Sequence, residues 1–310
     1  IMTRESGKPL AESRGEWGTV AQMFEWFAEE GKRAYGRTIP ARKTHKRLVV
    51  VPEAVGVVAT ITPWNFPAFI AARKWSAALA AGCAVIGRPS ELTPMSAMAL
   101  VNLMAEAGIP NGVMNLVNGD PQAMGQALLK HPDVDKVSFT GSQRVGRILM
   151  EGAAERVKRL TLELGGTAPV LVFDDADVAE AARITVEAKF RNNGQVCVSP
   201  TRFYIHDAVY EDYLEAAQAE VDALVVGNGL EDGVTNGPLV TAKGREKVET
   251  LVQDALQRGA TLITGGYRPD AMSEGYFYAP TLLAGVSAEM PIMQDEVFGP
   301  AMAVDRFHTL

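Results

Sequence analysis

The sequence has only two cysteines in 310 residues, Cys83 and Cys197, and they lie far apart. So few cysteines exclude a disulfide framework and a zinc site built on cysteine pairs, and they fit a reducing compartment. The 4 histidines are scattered through the chain and show no ligand spacing. The sequence therefore predicts no metal site.

The chain also lacks an excess of basic residues, because 30 Lys and Arg stand against 37 Asp and Glu, a net charge of −7. A nucleic-acid-binding surface needs the opposite balance, so this class of partner is excluded. The sequence contains no run of about 18 apolar residues, so it predicts no membrane helix. It also shows no leader in which a charged stretch precedes an apolar one, the pattern that marks export. We therefore expect a soluble, cytoplasmic protein.

What the sequence does contain is an alternation of strand and helix patterns. Short β-branched runs at 55–61 and 84–86 alternate with helical stretches at 69–79 and 94–107, and the pattern continues to Leu164. Such alternation predicts a parallel sheet covered by helices on both faces, with ligands bound at the carboxyl ends of the strands. A second series starts after Gly165 and Gly166, so we predict two α/β domains.

One cysteine is a candidate nucleophile. Cys197 follows a helix and a glycine turn in the segment 194–200, just before a predicted strand. A thiol that attacks an electrophile needs an exposed loop position and a lowered pKa. Taken alone, a buried structural cysteine is the commoner interpretation, and it suits Cys83 better.

Two polar residues follow predicted strands. Glu163 ends an apolar strand, where its carboxylate could activate water, although a carboxylate that caps a loop amide is the commoner case. Asn65 lies between Pro63 and Pro67 in a rigid turn that could aim its amide at a developing oxyanion. The alternative is a turn with a packed Trp64.

Nucleotide binding is suggested by two loops. The segment 88–91 (RPSE) follows the second strand, and the glycine loop from Gly141 to Gly146 precedes a helix whose N-terminus could hold a pyrophosphate. Glu91 could bind ribose hydroxyls, which favours a free 2′-OH over a 2′-phosphate. The usual glycine fingerprint is absent after the first strand.

Together, six ordered segments resemble the aldehyde dehydrogenase superfamily. They are 63–67 (PWNFP), 88–91 (RPSE), 139–142 (FTGS), 162–166 (LELGG), 194–197 (GQVC) and 296–300 (EVFGP). The resemblance implies that Cys197 is the nucleophile, that Asn65 and the Cys197 amide form the oxyanion hole, and that Glu163 is the general base. It also implies NAD as coenzyme, with NADP as the alternative. The implied coenzyme contacts are Thr62, Trp64, Arg88, Ser90, Glu91, Gly141, Ser142, Gly146, Leu164, Glu296 and Phe298.

Substrate choice rests on two arginines, Arg73 and Arg191, which could reach the aldehyde pocket and bind a carboxylate. They stand where the succinate-semialdehyde branch, with its glutarate-semialdehyde relatives, has its carboxylate-binding residues. Lactaldehyde dehydrogenases are similar around Arg73, and two solvated arginines are the other interpretation. The sequence departs from the family at Arg88, which usually is lysine, and at Thr167.

The resemblance implies a domain plan. Residues 1–36 and 53–164 would form a Rossmann-like coenzyme-binding domain, 37–52 part of an oligomerisation extension, and 165–310 an α/β catalytic domain. The predicted strand at 46–51 has no evident partner, and the resemblance implies a companion beyond Leu310. The chain thus resembles the middle of a longer, homo-oligomeric enzyme.

Two other functions stay open. A coenzyme A-acylating dehydrogenase would pass the acyl group to a thiol, but the hydrolytic base Glu163 argues against it. A catalytically silent fragment would bind nucleotide without turnover.

Overall fold

The computed structural model describes residues 1–309 and divides into two compact units. The first contains Ile1 and residues 14–164, and the second contains residues 2–13 and the chain from Gly165 onward. Helix α1 (Met2–Ser6) and the start of α2 (Leu10–Gly31) thus belong to the second unit, whereas the sequence placed 1–36 in the first. The reason is a backbone contact, since Leu10 N donates to Gly229 O at 2.8 Å.

A small two-stranded ribbon contains β1 (Arg37–Ile39) and β2 (Leu48–Val50). The strands pair antiparallel, with Thr38 opposite Val49, and all their residues are exposed. β2 thus finds a partner within the described residues, on the other side of a short loop, and the companion strand expected from beyond Leu310 stays a prediction.

The first unit is built on a fully parallel five-stranded sheet of order β5-β4-β3-β6-β7. Its strands are β3 (Val57–Ile61), β4 (Ala84–Arg88), β5 (Met114–Leu116), β6 (Lys136–Gly141) and β7 (Arg159–Leu164). Its helices are α3 (Phe69–Ala80), α4 (Pro94–Glu106), α5 (Pro121–Lys130) and α6 (Gln143–Ala154).

Alternate residues of β3 show that helices cover both faces of this sheet. Ala59 belongs to the core under α5 and α6 with Leu129 and Leu149. The next residue, Thr60, faces the opposite side and accepts a hydrogen bond from Trp75 Nε1 of α3 at 2.8 Å. The predicted parallel α/β sheet is confirmed.

The second unit has a mixed five-stranded sheet of order β10-β11-β12-β9-β8, in which only the β10–β11 pair is antiparallel. Its strands are β8 (Ala168–Val172), β9 (Pro200–His206), β10 (Thr261–Thr264), β11 (Thr281–Ala284) and β12 (Ala301–Phe307). Its helices are α7 (Val178–Phe190), α8 (Tyr210–Asp222), α9 (Ala242–Gln257) and α10 (Pro291–Gln294).

Side chains of β12 alternate between two cores in this unit. Met302 and Val304 pack with α7 and α8, whereas Ala301 and Ala303 pack with α9 and α10. Period-two alternation of apolar residues on both faces is what a central, doubly covered strand requires. Among residues 1–309, no helix is both long and apolar enough to cross a bilayer.

Candidate active site

The predicted site residues fall into two sets, one on each unit, and the Asn65 turn belongs to the first. Asn65 follows β3 and is 2% exposed. The turn is fixed by Thr93 Oγ1, which donates to Trp64 O at 3.1 Å. Thr62, at the start of the turn, is buried, and its N–H donates to Arg88 O at 3.1 Å. The backbone carrying Asn65 is therefore tied to the end of the neighbouring strand β4.

Glu163 lies in β7, separated from β3 by β6, with its side chain exposed. Because these strands are parallel, Glu163 and the Asn65 turn are at the same edge of the sheet, the edge where such sheets bind ligands.

Lys74 of α3 is a charged neighbour that the sequence analysis missed. Its Nζ donates to Ser138 Oγ at 3.0 Å. Burial lowers the pKa of Lys74 to about 8, while the Glu163 carboxylate acts in the opposite direction and the positive charge of exposed Arg73 lowers it further. An amine with a pKa of about 8 is mostly protonated at neutral pH but releases its proton more readily than an ordinary lysine.

The end of β4 holds an ion pair. Arg88 is 6% exposed, and its Nη2 donates to Glu91 Oε2 at 2.6 Å and to Gly119 O at 3.1 Å. Ser90, between the pair, is buried, and its Oγ accepts a hydrogen bond from Leu92 N at 3.3 Å. The half-exposed Glu91 carboxylate is thus oriented by a buried guanidinium, an arrangement that suits hydroxyl groups of a ribose.

The glycine loop leads into α6 and has the features of an anion site. Ser142 caps the helix, with its Oγ accepting from Val145 N at 3.3 Å. A Cβ built on Gly146 would lie 2.8 Å from Leu164 Cδ2, so glycine lets the first turn of α6 pack against the end of β7 without displacing the Leu164 side chain. The positive end of a 12-residue helix and its backbone N–H groups fit a pyrophosphate.

In the second unit, Cys197 is exposed, whereas Cys83 of the first unit is buried. The segment before Cys197 is a short 3-10 helix, Arg191–Gly194, interrupted by left-handed residues. Asn192 has φ 47° and Asn193 has φ 55°, and both are buried. Non-glycine residues in this region are strained, so the surroundings must hold them.

Side-chain amides hold this left-handed segment. Asn192 Nδ2 donates to Gln195 O, and Gln195 Nε2 donates back to Asn192 O, both at 3.2 Å. Asn236 Nδ2 donates to Asn193 Oδ1 at 3.3 Å. Gln195 Oε1 accepts from Val240 N at 3.1 Å. The backbone that presents Cys197 is therefore fixed on several sides.

Gly194 completes the turn with φ 73°. A Cβ there would lie 2.1 Å from Gly299 O, so the residue must be glycine for steric as well as conformational reasons. Arg191, the predicted substrate residue of this unit, is exposed at the start of the same segment.

The segment with Glu296 and Phe298 lies between α10 and β12. Phe298 has φ 53°, another left-handed non-glycine residue. Burial raises the pKa of Glu296, against the effect of Lys247, whose Nζ also donates to Glu296 O. A Cβ on Gly165 would lie 2.4 Å from Glu296 Oε2, so glycine is needed for this carboxylate to approach the chain after β7.

Lys189 of α7 is the second charged residue that the sequence analysis missed. It is fully buried, and its Nζ has no hydrogen-bond partner among the described residues. Burial lowers its pKa to about 7, while the Glu296 charge acts to raise it. Lys189 lies on the same side of α7 as buried Ala182 and Val186, and this helical spacing is a sequence signal that Lys189 is buried as well.

Among residues 1–309, no group of three or more His, Cys, Asp and Glu side chains could hold a metal ion.

Comparisons with known proteins give a consistent result. A family model described as "Aldehyde dehydrogenase family" matches residues 1–310. The chain is 48% identical over 307 residues to an NADP(+) succinate-semialdehyde dehydrogenase of Escherichia coli, covering 99% of this chain and 63% of the relative. It is also 48% identical over 307 residues to a 3-sulfolactaldehyde dehydrogenase of Pseudomonas putida, with the same coverage.

Solved structures agree with the sequence relatives. The crystal structure of succinate-semialdehyde dehydrogenase from Burkholderia pseudomallei superimposes with a TM-score of 0.97 at 49% identity, covering 100% of this chain and 64% of that chain. The resemblance expected from the six ordered segments is confirmed. The chain spans about 63% of the length of the curated relatives.

Proposed function

The chain belongs to the aldehyde dehydrogenase family, and on that premise we propose that it carries the coenzyme-binding and catalytic residues of an enzyme that oxidises an aldehyde with an anionic far end to the carboxylic acid. The observation that carries this proposal is the exposed Cys197 on a strained and hydrogen-bonded turn, in contrast to the buried Cys83. Strain of this kind persists where the surroundings over-determine it, which is typical of active sites.

In the proposed mechanism, the Cys197 thiolate attacks the aldehyde carbon and forms a thiohemiacetal. Asn65, buried and fixed in its turn, donates to the developing oxyanion together with the Cys197 backbone amide. Glu163 then takes a proton from the water that attacks the thioester on Cys197, and the carboxylic acid leaves. Lys74, whose pKa burial lowers to about 8 against the effect of the Glu163 charge, is the proposed proton partner of Glu163.

The coenzyme, when bound, accepts the hydride that converts the thiohemiacetal into the thioester. We propose NAD, because the Glu91 carboxylate held by Arg88 would pair with ribose hydroxyls and repel a 2′-phosphate. Ser142 and Gly146 at the start of α6 would hold the pyrophosphate, and Glu296 and Phe298 the nicotinamide ribose and ring. Thr62, Trp64, Ser90, Gly141 and Leu164 would line the remaining contacts.

The substrate class follows from the two exposed arginines and the names of the relatives. Succinate semialdehyde ends in a carboxylate and 3-sulfolactaldehyde in a sulfonate, and each is named for a relative that is 48% identical to this chain. Arg73 and Arg191 offer guanidinium groups that suit either anion. We propose succinate semialdehyde or a similar ω-carboxylated aldehyde. Homo-oligomer formation and a cytoplasmic location stay predictions.

The test compares coenzyme reduction with succinate semialdehyde and with butyraldehyde, an aldehyde of the same chain length without the anion. A charge-assisted bond of about 1.5–3 kcal/mol predicts a preference of roughly 10- to 150-fold in kcat/KM. Arg191→Ala should erase the preference, and the free acid should form without coenzyme A. Equal rates on both aldehydes would contradict the assigned substrate class.

The assigned nucleophile has a matched control in the same chain. Cys197→Ala should abolish turnover, whereas Cys83→Ala should retain it, because Cys83 is buried in the core. Turnover that survives in Cys197→Ala would refute the mechanism. Parallel assays with NAD and NADP test the role given to Glu91, and a preference for NADP would contradict it.

A further inference from the structure

Two glutamates of α2, Glu12 and Glu16, are not among the residues discussed above. They are four positions apart and so lie on one side of the helix, one turn from each other. Glu16 is 4% exposed and Glu12 is half-buried, in contrast to exposed Glu25 of the same helix. A buried carboxylate is costly unless it accepts hydrogen bonds, so the partners of these two side chains indicate what they do.

Glu12 acts within the second unit. The Asn192 N–H donates to both carboxylate oxygens of Glu12, to Oε1 at 3.0 Å and to Oε2 at 2.9 Å. Asn192 is the first left-handed residue of the turn that leads to Cys197. The carboxylate is 180 residues away in sequence from the amide it binds, so this contact exists only in the folded chain.

Glu16 acts within the first unit. Its Oε1 accepts hydrogen bonds from Ala68 N and Phe69 N, both at 3.0 Å. These N–H groups belong to the start of α3, where the N-cap residue Ala68 has no side chain that could cap the helix. Glu16 therefore replaces the missing cap, and its charge is also favourable at the positive end of the helix dipole. The capped turn directly follows the segment with Asn65.

We propose that Glu12 and Glu16 are positioning residues, each of which fixes the backbone next to one catalytic residue: Glu12 the approach to Cys197, and Glu16 the turn of Asn65. The inference rests on the proposed function for the identity of the catalytic residues. The hydrogen bonds involve an ionised acceptor and are therefore stronger than neutral ones. Displacement of a reacting group by about 1 Å costs on the order of 100-fold in rate, so loss of either carboxylate should affect turnover.

The test uses five variants of the whole chain: Glu12→Ala, Glu12→Gln, Glu16→Ala, Glu16→Gln and the control Glu25→Ala. Each alanine variant should lower kcat about 100-fold with less than a threefold change in KM for the aldehyde, because the substrate contacts remain. The glutamine variants keep one acceptor oxygen, so their kcat should be about tenfold higher than that of the alanine variants. Glu25→Ala should match the wild type.

Amide hydrogen exchange provides a readout that does not depend on turnover. Glu12→Ala should speed exchange in the peptide 190–197 at least tenfold and leave 63–70 unchanged, and Glu16→Ala should do the reverse. If the wild type shows no turnover, the proposed function fails, and the exchange pattern then decides only whether each carboxylate fixes its own backbone segment. The glutamine variants serve the same purpose if an alanine variant does not fold.

Three results would overturn the inference. The first is unchanged exchange at both segments in the alanine variants. The second is faster exchange with kcat unaltered, which would make the two carboxylates structural only. The third is a loss of kcat that the glutamine variants do not reduce at all.

Discussion

The two units place their proposed site residues on backbones of different kinds. In the first unit, the residues follow strands of a parallel sheet and precede ordinary helices, as Ser142 does when it caps α6. In the second unit, Asn192 and Asn193 precede Cys197 and Phe298 follows Glu296, and all three have positive φ. Among the described residues, the only other non-glycine residue with positive φ is Val157. In the proposed roles, the helix N-terminus that would hold an anion has an ordinary backbone, whereas the proposed nucleophile is presented by a strained turn.

The largest effect is expected from Gly194→Ala, which should break the turn of the second unit. The added Cβ would lie 2.1 Å from Gly299 O, and φ is 73°. We expect the free energy of unfolding to fall by more than about 2 kcal/mol and turnover to be lost. Urea unfolding monitored by far-UV circular dichroism, which reports the helices of both units, measures the first quantity.

The matched control is Gly108→Ala in the first unit. Gly108 has φ 91°, but no atom lies within 4 Å of the position that a Cβ would take. This variant should lower the free energy of unfolding by only about 1 kcal/mol, because of the left-handed backbone, and it should keep turnover. Equal losses in the two variants would show that the close contact with Gly299 contributes nothing.

A middle-sized effect is expected at the two lysines whose pKa is lowered by burial, Lys74 of the first unit and Lys189 of the second. Burial lowers the pKa of Lys189 from 10.5 to about 7. Below pH 7 both folded and unfolded chains hold the proton, and the folded chain bears the cost of the buried charge. Between about pH 7 and 10.5 the unfolded chain binds more protons, so this group makes stability rise with pH.

Lys189→Met should remove that slope and raise Tm more at pH 6 than at pH 9. Lys74→Met should give a smaller gain at pH 6, because Lys74 keeps a hydrogen bond to Ser138 and a pKa of about 8. Thermal unfolding of both variants and the wild type at the two pH values measures the difference. A Tm change for Lys189→Met that is the same at both pH values would contradict the buried charge.

The smallest effect is expected at Val157, where strain has no proposed role. Val157 is 89% exposed with φ 51°, which is unfavourable for a β-branched residue. Val157→Gly should raise the free energy of unfolding by about 0.5–1 kcal/mol, the relief of strain exceeding the greater entropy of the unfolded chain. Turnover should not change. By contrast, Asn193→Gly loses the hydrogen bond from Asn236 and should lower the free energy of unfolding. If both variants were more stable than the wild type, the strain at Asn193 would not differ in kind from the strain at Val157.

Local sequence patterns account for much of the fold. The β-branched run at 55–61 predicted β3 (Val57–Ile61), and the helical stretch at 69–79 predicted α3 (Phe69–Ala80). These elements are marked by periodicity, which is a local property. The pairing of β1 with β2 depends on the path of the intervening loop, and no pattern of the two short strands shows it.

The site was less accessible to sequence reasoning. Cys197, Glu163 and Asn65 were found as residues, but their environments depend on contacts that are distant along the chain. The charge on Lys74 depends on burial in α3, and the amide of Asn192 binds a carboxylate 180 positions away. Helical spacing gave a local sign of burial for Lys189, whereas long-range hydrogen bonds have no local signature and could not be predicted.

The difference in exposure between the two cysteines has a practical consequence. Since Cys83 is buried and Cys197 is exposed, a maleimide dye added to the folded chain should attach only to Cys197. The same sulfur is also where peroxide damage would begin, and where two chains could cross-link through a single disulfide on storage in air. The single exposed thiol is therefore both the site for selective labelling and the site at which oxidation of the folded chain would start.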